Sequence, residues 1–127
     1  MGDKKYPVVV GYSGSDRCAA VAIYGAKIAD KMGEDLVLVF ALEASRLGAS
    51  PDLEREVAKV GEDAMDEMEK EISSQYPDLK IEKLLVRDIP VEAILFVASD
   101  RDAETIVVGH GGRGPISGAL LGSVTYE

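Results

Sequence analysis

Leu36-Val37-Leu38-Val39-Phe40-Ala41-Leu42 is seven apolar residues in a row. A surface helix would interrupt such a run with polar residues at its own period, and a strand with one wet face would alternate. An unbroken run of this length fits a strand of a parallel sheet, covered on both faces. Parallel strands need crossover connections, and helical patterns lie on either side of the run. Upstream, Asp16–Met32 sets Ala19, Ala22, Ile23, Ala26 and Ala29 on one side at a period of 3.6, with Gly33 just past its end. Before it, Tyr6–Gly11 (YPVVVG) is a short β-branched strand, and Ser13 or Ser15 in the intervening turn can cap the helix.

Downstream, Ser50-Pro51 opens a long helix whose stripe is Leu53, Val57, Val60, Ala64, Met68 and Ile72, and Pro77-Asp78 ends it. Lys80–Arg87 is a third strand, Pro90–Ala98 a short helix with Ile94 and Leu95 facing inward, and Thr105–Val108 a fourth strand. The alternation predicts an α/β fold with an open parallel sheet in the order 3-2-1-4, right-handed crossovers and helices on both faces. Residues 1–127 read as one domain, without repeats or a low-complexity linker. Sheets of this kind take ligands outside the carboxyl ends of their strands, where the strand order reverses. The ends of the first strand (Gly11 to Ser15) and the fourth (Gly109 onward) both carry small residues, so a crevice is expected between them.

The 127 residues are 46% apolar, enough for an ordinary core without disulfides, and Cys18 is the only cysteine. No apolar stretch exceeds strand length, the first residues lack a signal-peptide core, and Tyr6 spoils the Met-Gly start as a myristoylation site. A cytoplasmic protein is expected. The formal net charge is −9, which disfavours nucleic acid and anionic membranes as partners. The charge is uneven: Ser50 to Lys80 holds ten acids and four bases, a net −6, which reads as a solvated helix face. Between Thr105 and Glu127 the formal charges are Arg113 and Glu127 alone, so an anionic ligand meets little repulsion there.

That end carries Gly109-His110-Gly111-Gly112-Arg113-Gly114-Pro115-Ile116-Ser117-Gly118-Ala119-Leu120-Leu121-Gly122-Ser123-Val124. Glycines let a backbone approach a ligand closely, and consecutive amides in such turns form anion nests. A serine after the last glycine can cap a helix while offering hydroxyl and amide to a phosphate. The segment is neither a Walker A loop nor a G-x-G-x-x-G fingerprint. Arg113 is its one cation and is placed to pair with a phosphate. His110, the only histidine, and Cys18 have no partners legible in sequence and read as incidental. Met68 reads as core filler, and the paired carboxylates Glu62-Asp63 and Asp66-Glu67 diverge around their helix. No catalytic set and no metal-ligand spacing is legible.

The glycines match the spacing Gly-x2-Gly-x9-Gly-Ser at Gly109, Gly112, Gly122 and Ser123. With VVVGYSGS as the first strand and its turn, and Asp88–Gly109 (DIPVEAILFVASDRDAETIVVG) as a helix and strand, the chain resembles the universal stress protein family of the nucleotide-binding type, over nearly its whole length. The resemblance implies an adenine nucleotide alpha hydrolase-like fold and ATP or a related adenine nucleotide in the crevice, with any Mg²⁺ arriving on the nucleotide. Gly109, Gly112, Gly122, Ser123 and Val124 would line ribose and phosphates, Ala41 would meet the adenine through its backbone, and Gly11, Tyr12 and Ser13 would form the wall from the first strand.

Two departures from the family stand out. Ser13 occupies the place of the family's usual Asp, which replaces a charge-assisted contact with a neutral one, a difference of roughly 1–2 kcal/mol. The family's fourth long helix and fifth strand do not follow Ser123–Glu127, so the fifth strand is expected to be missing and the fourth strand's outer edge bare. A homodimer covering that edge is the expected assembly. The function implied is a stress-response binding switch in which nucleotide orders Gly109–Ser123. No catalytic residue is assigned, and with no base or arginine-finger set, ATP hydrolysis would at most be slow. Two alternatives are a relative that no longer binds nucleotide and works through dimer or partner contacts, and an adenylating enzyme of the wider group.

Overall fold

A computed structural model of the chain describes residues 5–12, 16–43, 50–110 and 118–123. In chain order its elements are β1 (Val8–Gly11), α1 (Asp16–Met32), β2 (Leu36–Ala41), α2 (Pro51–Gln75), β3 (Ile81–Val86), α3 (Pro90–Asp100), β4 (Thr105–His110) and β5 (Gly118–Ser123).

The helix ends follow local chemistry. Gly33 takes φ +70° just past α1, a conformation that costs a residue without Cβ little. It lets Glu34 N–H reach Ala29 O at 2.9 Å and Gly33 N–H reach Asp30 O at 3.2 Å, which closes the helix as a Schellman motif. Ser50 caps α2 by accepting from Leu53 N–H at 3.3 Å, with Pro51 at the first helical position. Tyr76, directly before Pro77, closes α2 at its other end, its N–H donating to Ile72 O at 2.8 Å.

The sheet runs β3-β2-β1-β4-β5. The first four strands are parallel in the expected order 3-2-1-4. Leu36 to Phe40 of β2 are all buried, as their unbroken apolar run predicts. β1 pairs with β2 from Val8–Leu36 to Gly11–Val39, while β2 continues beside β3 as far as Ala41–Val86. α1 and α2 cover one face, packing on Val8, Val10, Leu36, Leu38, Phe40 and Val107. α3 covers the other, where Ala93, Val97 and Ala98 meet Val9, Val37, Val39 and Ile106. Each fully buried Val or Leu in these layers contributes about 1.5–3 kcal/mol.

Three expectations are corrected. Gly118–Ser123, which the sequence assigns to the phosphate loop, is a fifth strand antiparallel to β4, so the edge expected to be bare is covered. Its backbone satisfies the groups that β4 would otherwise leave open, and Ala119-Leu120-Leu121 is an apolar run well suited to a strand. On α2 the buried line is Gly61, Met65, Met68 and Ile72, whereas Val60 is 65% exposed and Leu53 41%. Met68 and Ile72 are buried as expected and Val57 and Ala64 pack in part against the core, while Gly61, lying against the Phe40 ring, takes the buried place expected of its neighbour Val60. On α3, Ile94 faces inward but Leu95 is 46% exposed, because the small residues Ala93 and Ala98 take the seat on the sheet.

Candidate functional site

β1 and β4 are neighbours, yet the chain leaves β1 for β2 on one side and reaches β4 only after β3 on the other. This is the point at which the strand order reverses, where sheets of this kind leave room for a ligand at the strand ends. A crevice of about 290 Å³ opens there, lined by Gly11, Tyr12, Val39, Phe40, Ala41, Pro90, Ile94, Val108 and Gly109. It draws on the carboxyl ends of β1, β2 and β4 and on the first turn of α3.

Backbone direction gives this apolar crevice its polar groups. Val39 O accepts from Tyr12 N–H at 2.8 Å, so residue 39 points its peptide groups toward β1. Leu42 N–H donates to Val86 O at 2.7 Å, so residue 42 points toward β3. The alternation along a parallel strand therefore directs the N–H and C=O of Ala41 toward β1, beyond the last β1–β2 pair, Gly11–Val39. A donor and an acceptor side by side at a crevice edge can meet the hydrogen-bonding edge of a flat heterocycle. Gly109 contributes its backbone as well, because a Cβ there would point toward α1, 3.3 Å from Val21 Cγ2.

Of the residues the sequence singles out, the structure brings together Gly11, Tyr12, Ala41 and Gly109. Ser13, Gly112, Arg113 and Val124 lie outside the described residues. Gly122 and Ser123 pair with Ile106 and Thr105, at the opposite end of β4 from Gly109. At about 3.3 Å per residue, that is roughly 10–13 Å along the strand from the crevice. In this arrangement they do not reach it, since the segment instead covers the sheet edge. Pro90 and Ile94 are lining residues that the sequence reading places only in a helix. A signal for them exists: α3 begins just after β3 ends, which puts its first turn at the same edge of the sheet as the crevice.

Among the described residues, none of those lining the crevice is charged. Lys83 reaches from β3 to Asp66 and Glu69 on α2, both at 2.7 Å, and Arg101 at the end of α3 grips Glu82 on β3 through two bonds of 3.0 and 2.7 Å. Arg87 pairs with Glu54. Hydrogen bonds from Lys83 and Arg101 hold the Asp66 and Glu82 carboxyls below the usual carboxylate range, and the same bonds raise the two cations. These pairs fasten α2 and α3 to β3 and place charges along that edge strand. Among the described residues there is no cluster of three or more His, Cys, Asp or Glu able to hold a metal ion. Also among them, no helix is long and apolar enough to cross a membrane.

The universal stress protein family model matches residues 6–126, and the chain belongs to that family. A universal stress protein of Mycobacterium tuberculosis is 33% identical over a 125-residue alignment that covers 94% of this chain and 39% of that protein. The chain thus spans about two fifths of the length of the curated relatives it matches. A universal stress protein structure from Archaeoglobus fulgidus superposes with a TM-score of 0.63 at 27% identity, covering 87% of this chain and 80% of the other. One from the same organism in complex with dAMP gives 0.62 at 27% identity, covering 84% and 82%. The four parallel strands with their helices are the Rossmann-like arrangement of the adenine nucleotide alpha hydrolase type.

Proposed function

We propose that this chain binds an adenine nucleotide and acts as a stress-response switch. The observation that carries the reading is the convergence of Gly11, Tyr12, Ala41 and Gly109 on one apolar crevice at the β1–β4 reversal point. The base lies in the crevice with its polar edge on the Ala41 backbone, and the phosphates lie beyond Gly109, toward Gly112 and Arg113. The dAMP complex of the Archaeoglobus fulgidus relative supports this class of ligand. ATP fits the same description, with Mg²⁺ held by the triphosphate and by hydroxyl or water ligands.

The family spacing of Gly109, Gly112, Gly122 and Ser123 supports a switch in which nucleotide orders the segment from Gly109 onward and so changes the surface offered to a partner. Such a switch works where ATP is abundant, in the cytoplasm, and needs no fast hydrolysis. Residues 1–127 act as one nucleotide-binding domain.

A second reading rests on Ser13, which lacks the carboxylate the family usually has there. In it the chain has no nucleotide and works as a homodimer through the sheet edge at β5. Mass spectrometry of ligand released from the purified protein separates the two. An adenine nucleotide at near one equivalent supports the first reading; a protein that releases none and takes up none on addition supports the second.

A further inference from the structure

Gly11 is not a glycine for conformational reasons. It lies in β1 paired with Val39, and among the described residues the glycine with positive φ is Gly33. What it leaves room for is a side chain of α3. A Cβ at position 11 would lie 2.6 Å from Ile94 Cδ1, 3.4 Å from Ile94 Cγ1 and 3.8 Å from Val108 Cγ1. All three residues line the crevice.

We infer that Ile94 sets the depth of the crevice and that Gly11 holds it open by giving the Ile94 side chain a place against β1. The close atom is the end of a flexible side chain, so an added methyl displaces Ile94 and leaves the strand in place. Ile94 has one direction to move. The core beside it is filled by Val9, Ala93 and Val97, all fully or almost fully buried. The open side is the crevice. A methyl at position 11 therefore costs the fold little and fills the space where the flat base of a nucleotide would sit. Ile94 is in this sense a positioning residue for the base, an inference that rests on the nucleotide reading above.

The test is calorimetric titration of the purified chain with two probes, dAMP and 2-deoxyribose 5-phosphate, which lacks the base. Gly11→Ala should keep its cooperative thermal transition and lose dAMP affinity at least tenfold. Its affinity for the sugar phosphate should change far less, a contrast that general structural damage would not produce. Adding Ile94→Val removes Cδ1, the atom in conflict, so the double variant should return to within about threefold of wild type for dAMP. Ile94→Phe narrows the crevice from the helix side without altering β1, and should lose dAMP even if Gly11→Ala fails to fold. Gly11→Ala binding dAMP like wild type, or a double variant as weak as Gly11→Ala, overturns the inference while leaving the nucleotide reading intact. A wild type that takes up no dAMP overturns both.

Discussion

Replacing Gly61 by alanine should destabilise the protein, against the usual gain from that exchange in a helix. Gly61 is buried in the middle of α2, and a Cβ there would lie 2.6, 2.7 and 2.8 Å from Cε1, Cδ1 and Cγ of Phe40. Carbon atoms rest at about 3.5–4.0 Å, so helix and ring must part by about 1 Å. Three ring atoms are struck at once, and a rigid ring cannot yield one atom at a time. Overpacking of this kind costs about 1–3 kcal/mol, and the upper half of that range applies here. Better helix propensity returns about 1 kcal/mol. The net loss is about 1–2 kcal/mol, or roughly 4–8 °C in Tm at about 4 °C per kcal/mol for a chain of this size. Urea and thermal unfolding followed by circular dichroism measure it. Val60→Ala, one residue away at a 65% exposed position, should stay within about 0.5 kcal/mol of wild type. A Gly61→Ala protein that melts higher than wild type would show that α2 does not sit on Phe40 as described.

Two further predictions concern pH and assembly. Arg101 holds the Glu82 carboxyl below its ordinary value, so the pair contributes fully above the unfolded glutamate pKa of about 4.3 and is lost as pH falls through the lower folded value. For a partly exposed pair the contribution is about 0.2–1 kcal/mol, so Glu82→Gln should lower the urea midpoint at pH 7 and leave it unchanged near pH 2; equal losses at both would point to packing and not charge. The outer edge of β5 carries neither charge nor proline along Gly118–Ser123, and such an edge is a template for a second copy. Sedimentation velocity should show a dimer at micromolar concentration, and a monomer without concentration dependence would exclude it.

The architecture is legible in the sequence because it rests on local patterns. The run Leu36–Leu42 needs cover on both faces, and the caps Gly33 and Ser50-Pro51 stop and start helices wherever they occur. Of the residues that line the crevice, Gly11 and Gly109 stand out in the sequence as small residues at the ends of buried strands, whereas Tyr12 and Ala41 are named only through the family resemblance. On α2, Met68 and Ile72 are legible from their spacing, but Gly61 in place of Val60 is not, because it depends on how the helix meets the Phe40 ring of β2. Pro90 and Ile94 have only an indirect signal, the start of α3 just after β3, and their place in the crevice depends on how α3 sits on the sheet. The segment Gly118–Ser123 satisfies two patterns at once. Its glycine spacing suits a phosphate loop and its apolar centre suits an edge strand, and the structure takes the second.

Whether the crevice at the β1–β4 reversal point holds an adenine nucleotide is decided by calorimetric titration of dAMP into the wild-type chain and into Ala41→Phe. Ala41 is half-buried at the end of β2 and lines the crevice, packed beside the α3-side core, so the larger ring fills the base site from the sheet side. One dAMP should bind per chain, saturably, and binding should be abolished in Ala41→Phe while its unfolding transition persists. Equal uptake by both proteins, or none by the wild type, would contradict it.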